Sequence, residues 1–127
     1  MGNKDIKTYI SGHSSFSGTV SNVAHLVVDG KFEGTTLEAK NLFIGKTGKV
    51  KANIMADYAV VEGIVLGNIK ADIRLILMPS ARVLGKIETK EIIIQKGALF
   101  EGQCVILNDS VTTNTKEHIL NFYNTDE

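Results

Sequence analysis

Six times along the chain the same five-residue pattern returns, apolar and small positions alternating with variable ones: FSGTV (16–20), FEGTT (32–36), VKANI (50–54), VLGNI (65–69), VLGKI (83–87) and FEGQC (100–104). The central small residues, Gly18, Gly34, Ala52, Gly67, Gly85 and Gly102, stand 16, 18, 15, 18 and 17 residues apart. Alternation with a period of two is the signature of a strand, so Val83, Gly85 and Ile87 share one face and Leu84 and Lys86 the other. An apolar triplet follows each of the first five pentapeptides: LVV (26–28), LFI (42–44), AVV (59–61), LIL (75–77) and III (92–94). Turn residues come next, such as Asp29-Gly30, Glu62-Gly63, Pro79-Ser80 and Lys96-Gly97. The step from triplet to next pentapeptide is four residues at Val28→Phe32 and Val61→Val65. It is six at Ile44→Val50, Leu77→Val83 and Ile94→Phe100.

A unit of about 17 residues is too short to bury its own apolar side, whereas stacked units bury one another's. Stacking predicts a column of Phe16, Phe32, Val50, Val65, Val83 and Phe100. It predicts a second of Val20, Thr36, Ile54, Ile69, Ile87 and Cys104. The near-return of VLGNI as VLGKI is then one circuit of the backbone, a coil of a β-helix. The small column leaves room for a facing side chain or a bend. Six coils at about 4.8 Å each make a rod roughly 29 Å long.

Composition narrows the function. Fourteen Lys and Arg balance fourteen Asp and Glu, leaving no net field to attract nucleic acid or an anionic membrane. No apolar run approaches the eighteen residues of a membrane span. The first ten residues, MGNKDIKTYI, lack a signal-peptide core and depart from the myristoylation pattern at Ile6. The single cysteine, Cys104, has no internal disulfide partner, which fits a reducing compartment. The expected organisation is a tail over residues 1–8, the coils over 9–107, and a polar tail over 108–127, both tails flexible.

The G-x-[IV] ladder with its alternating turn lengths, and the segment KGALFEGQC (96–104), resemble the bactofilin family of polymer-forming bacterial cytoskeletal proteins. The resemblance covers about residues 9 to 106. It implies an all-β fold, a right-handed triangular parallel β-helix. It further implies nucleotide-independent, non-polar filaments, with subunits meeting head-to-head and tail-to-tail, that scaffold cell-shape and envelope proteins from the cytoplasm, at the inner face of the membrane in some members. Residues 1–8 are too short and polar to support membrane attachment here. The rival reading is a left-handed β-helix acyltransferase of the hexapeptide type, a closed trimer. Such enzymes need strict six-residue steps, which spacings of 15 to 18 break.

An uncapped solenoid exposes core cross-section and unpaired backbone at both ends. Tyr9, Ile10 and Phe16 mark one expected polymer interface; Leu99, Phe100, Cys104 and Ile106 mark the other. The alternative is that residues 108–127 fold over one end. The middle residues of the triplets, Val27, Phe43, Val60, Ile76 and Ile93, face outward as an apolar lateral stripe. That stripe serves filament pairing, a partner protein or a membrane surface, unless HILNFY (118–123) covers it. Chemistry is otherwise poorly signalled. His13, His25 and His118 stand far apart, and no catalytic, cofactor or metal residue is expected. Cys104 sits in an apolar column, the place of a packed thiol and not of a nucleophile. The glycines keep the coil period and form no strand–loop–helix phosphate cradle.

Overall fold

A computed structural model describes residues 7–107. These form nine strands and no helix: β1 (Lys7–Ile10), β2 (Ser15–Val28), β3 (Lys31–Ile44), β4 (Lys49–Val61), β5 (Ile64–Leu66), β6 (Ile69–Leu77), β7 (Arg82–Thr89), β8 (Ile92–Ile94) and β9 (Leu99–Ile106). Every strand pairing is parallel, and each strand lies on the one that precedes it by a coil. The result is a parallel β-helix of about six coils. β1 begins at Lys7, two residues ahead of the expected first coil.

Each coil has three strand-forming faces. On the first, the column is the one the pentapeptides predict: Phe16 pairs with Phe32, then Val50, Val65, Val83 and Phe100 follow in unbroken register. The third face carries the triplets in register from Leu26–Val28 through Ile92–Ile94, with Thr8, Tyr9 and Ile10 stacked ahead of them. Outer residues of each triplet are buried and the middle one faces out.

The second face requires one correction. Thr36 does not belong to its column; Leu37 does, between Val20 and Ile54, and Thr36 pairs with Asn53. One additional residue is taken up at the corner between Glu33 and Thr36, which shifts the register there. Fully buried Leu37 restores an apolar column where a threonine would have left a hydroxyl among Ile54, Ile69 and Ile87. Two positions further along, Ala39, Ala56, Ala71, Thr89 and Ile106 form a parallel inner column. Thr89 is the only buried polar residue among those described, and its Oγ1 donates to the Glu91 carbonyl at 3.0 Å. In the first coil the register shift between Val20 and Val23 is absorbed at Asn22, whose φ is 58°, a conformation that asparagine tolerates better than most residues.

Corners explain the remaining glycines. Between first and second faces the chain bends with φ of 147° at Gly85, and Gly18, Gly67 and Gly102 repeat the bend. A side chain at Gly85 would also run into the carbonyl oxygen of Gly67 one coil away. At the corner joining third to first face, the six-residue steps are closed by four-residue turns. Gly48 N donates to Gly45 O, Ala81 N to Met78 O and Ala98 N to Gln95 O, at 2.9–3.0 Å. Thr47 and Ser80, each in a long turn, reach back to the carbonyls of Asp29 and Glu62 in the short turn a coil earlier, at 2.6 and 2.8 Å. Turn length therefore varies at this corner while the rungs above and below stay in register.

Candidate polymer interface

Among the described residues the inner columns end at both extremities. At the N-terminal end Phe16 stacks its ring on Phe32, with centroids 5.2 Å apart and planes at 11°. Phe32 is fully buried, but Phe16 is 40% exposed because none of the described residues stacks on its other side. Ile10 is buried, closing the third-face column at the same end. At the C-terminal end Phe100, half-buried, terminates the first-face column. Cys104 and Ile106 are buried and terminate the two second-face columns. Five of the seven expected end residues thus occupy column ends. The other two face outward: Tyr9 extends the line of Val27, and Leu99 lies beside the C-terminal end on the outside of the first face.

Backbone pairing ends in the same places. Among the described residues β1 pairs only with β2, β8 only with β6 and β9 only with β7, so each rod end presents a sheet edge. Tyr9 is secured near its edge by donating its hydroxyl to Asp29 Oδ2 at 2.6 Å. That hydrogen bond, with the Asp29 charge, holds the phenol above its ordinary pKa.

Cys104 is a packed thiol. Burial pushes its pKa up to about 11, from an ordinary value of 9.0, so the thiolate is scarce at neutral pH. Alkylation by iodoacetamide at pH 8 is expected to run about 100-fold slower in the native chain than in urea, the ratio that two pKa units imply. The folded pKa lies above the unfolded one, so the contribution of this group to stability is complete below pH 9 and is lost as pH rises toward about 11. Equal alkylation rates with and without urea would show an accessible thiol.

The lateral stripe is continuous: Val27, Phe43, Val60, Ile76 and Ile93 are successive partners on the third face. Most are half-buried, and Phe43, at 36%, is the most exposed. Beside it runs a polar line in which His25 pairs with Asn41, Asn41 with Tyr58, and Tyr58 with Arg74. His25 Nδ1 and Asn41 Nδ2 are 3.1 Å apart, and Arg74 Nε donates to Glu91 Oε1 at 2.8 Å. His25 is thereby a half-buried member of a surface ladder. His13 lies in the turn before β2, and His118 lies outside the described residues. Among the described residues no three His, Cys, Asp or Glu side chains come together as a metal site.

One apolar surface went unread in the sequence. Leu66 and Leu84, the second residues of VLGNI and VLGKI, stack on the outside of the first face, with Ile64 and Leu99 on the neighbouring line. Alternation already placed Leu84 outward; what was missing was that its stacked neighbours are leucines as well.

Stacked parallel rungs around continuous apolar columns define a β-solenoid. Comparison with known sequences gives that class its family. The bactofilin family model, described as polymer-forming cytoskeletal, matches residues 8–105. The chain is 36% identical to bactofilin BacP of Myxococcus xanthus over 87 residues, 68% of this chain and 36% of that protein. It is 32% identical to bactofilin BacO of the same organism over 95 residues, 75% of each chain. The chain thus spans about a third of the length of BacP. No solved structure matches it. The protein belongs to the bactofilin family, whose model is described as polymer-forming cytoskeletal. The acyltransferase alternative falls with that membership. No helix among the described residues is long and apolar enough to cross a membrane.

Proposed function

We propose that the chain polymerises end to end into filaments that need no nucleotide and have no polarity, and that these filaments position envelope or cell-shape proteins from the cytoplasm. The observation that supports the reading is the pair of column ends on which no further described residue stacks, exposed Phe16 at one end and half-buried Phe100 at the other. Two copies meeting through the same end form an isologous contact, which closes on itself. A rod with two different self-complementary ends propagates without limit, alternating the direction of its subunits. The right-handed sense of the coil follows from the family resemblance and belongs to the same proposal. The lateral stripe, from Val27 to Ile93, supplies the surface for a protein partner or a neighbouring filament.

Negative-stain microscopy of the purified chain in nucleotide-free buffer tests the reading. Filaments are expected, unchanged in length when ATP or GTP is added, with projections that superimpose on their own end-for-end reversal. A single-copy particle at high concentration, or a closed trimer, would overturn it.

A further inference from the structure

The outside of the first face is divided along its length. From the C-terminal end its rungs present Leu99 and Glu101, then Arg82 and Leu84, then Ile64 and Leu66. The next rungs toward the N-terminus present Lys49 and Lys51, then Lys31 and Glu33. Leu66, Leu84 and Leu99 are 42%, 50% and 55% exposed, more than any member of the lateral stripe among the described residues. They line one cleft together with Ile64, Arg82, Phe100 and Glu101, and a second cleft continues it to Lys31, Lys49 and Lys51. The groove therefore carries Leu99, Leu84, Ile64 and Leu66 beside Arg82 and Glu101 on three rungs, and Lys31, Lys49 and Lys51 on the next two, where Glu33 pairs with Lys51 at 3.8 Å.

The sequence beyond Leu107 carries the complementary chemistry in the complementary order. After a polar stretch come Ile119, Leu120, Phe122 and Tyr123, and then Asp126 and Glu127. Its length matches the path. Thr89 is stacked on Ile106, so Leu107 is the equivalent of Lys90, and nine residues carry the chain from Lys90 around two corners to Leu99. His118 stands eleven positions after Leu107. Continued winding at the same pitch would bring the chain near residue 118 to the first face at its C-terminal end.

We infer that residues 118–127 dock along the first face of their own rod, with Ile119, Leu120, Phe122 and Tyr123 over Leu99, Leu84 and Leu66 and with Asp126 and Glu127 against Lys49 and Lys51. The third-face stripe, the alternative cover site, offers less exposed apolar surface and no matching charge step. The inference goes beyond end-to-end assembly and does not depend on it, because the groove lies on the flank of the rod and not on its ends.

Paired cysteines in the full-length chain test it. Buried Cys104 remains in place, and each variant combines Phe122→Cys with one surface cysteine. The surface sites are Leu84→Cys on the first face, Met55→Cys on the second and Ile76→Cys on the third. Under mild oxidation the Leu84 pair is expected to form an intramolecular disulfide, monomeric on a denaturing gel, at least tenfold faster than the Met55 or Ile76 pairs. Adding Lys49→Glu and Lys51→Glu to the Leu84 pair is expected to slow closure several-fold at low salt. Equal rates at Met55, as for a freely swinging tether, would overturn the inference, as would faster closure at Ile76. So would a Leu84 product that is a covalent dimer, which places a neighbour's segment in the groove. Outward-facing Leu84, Met55 and Ile76 leave the inner columns intact in every variant.

Discussion

Phe100→Arg is expected to abolish sedimentable polymer while leaving a β-rich circular dichroism spectrum. Phe100 is the last member of the first-face column, half-buried against Val83 and with no described residue stacked beyond it. In an isolated rod an arginine there can turn its guanidinium toward water, so the coils beneath it are little disturbed. In a tail-to-tail junction the same position is enclosed, and two-fold symmetry brings two arginines toward each other. An uncompensated buried charge costs about 3–5 kcal/mol, and that weakens the contact by about 10² to 10³-fold or more. Sedimentation with parallel circular dichroism measures both halves of the expectation. Normal pelleting by the variant would mean that this end is not the contact. Loss of the β spectrum would mean that Phe100 is needed by the fold itself.

Gly85→Val strikes the opposite balance, harming the rod more than the junction. Gly85 has φ of 147°, and its neighbour across the coil is the Gly67 carbonyl. Forcing a branched residue into that conformation costs about 1–3 kcal/mol, and overpacking adds about 1–3 more. For a domain of about 100 residues each kcal/mol lowers Tm by roughly 4–8 °C, so the apparent Tm is expected to fall by about 15 °C or more. A solenoid fails locally as well as globally, so the melt should also broaden, with β8 and β9 released first. A Tm within a few degrees of the parent would show that the corner bends without its glycine. The equivalent position Ala52 already carries a methyl group, and it is absent from the positive-φ set. The corner is therefore built in two ways, and only the glycine version forbids a side chain.

The coil was legible because its first and third faces are written in large apolar residues at regular intervals. Phe32, Val50, Val65 and Val83 announce themselves, and so do the triplets. The second face is written half in alanine. Ala39, Ala56, Ala71 and Thr89 pack the interior with side chains that carry little or no apolar signal, so this inner column was not visible as a strand. The Thr36 error has a different origin. A fixed five-residue template assumes that every corner consumes one residue, whereas Glu33 to Thr36 consumes one more than the coil above it. A local bulge leaves no mark on periodicity when the residues on either side, Thr36 and Leu37, both suit a strand. Of the seven expected end residues, Phe16, Phe100 and Cys104 follow from column position. Tyr9 and Leu99 were read through hydrophobicity alone and proved to face outward. The leucine groove was missed because each leucine taken singly is an unremarkable surface residue, and only their stacking makes a surface.

The two turn lengths at the corner between third and first faces have an architectural consequence. Two residues more or fewer are accommodated there without disturbing any rung, so this corner is the place where the chain can lengthen freely. All such corners lie one above another along a single ridge of the rod, about one strand spacing apart. Extra loops or grafted peptides inserted on that ridge would project in single file, like teeth on a comb, and leave all three flat sides of the shaft clear.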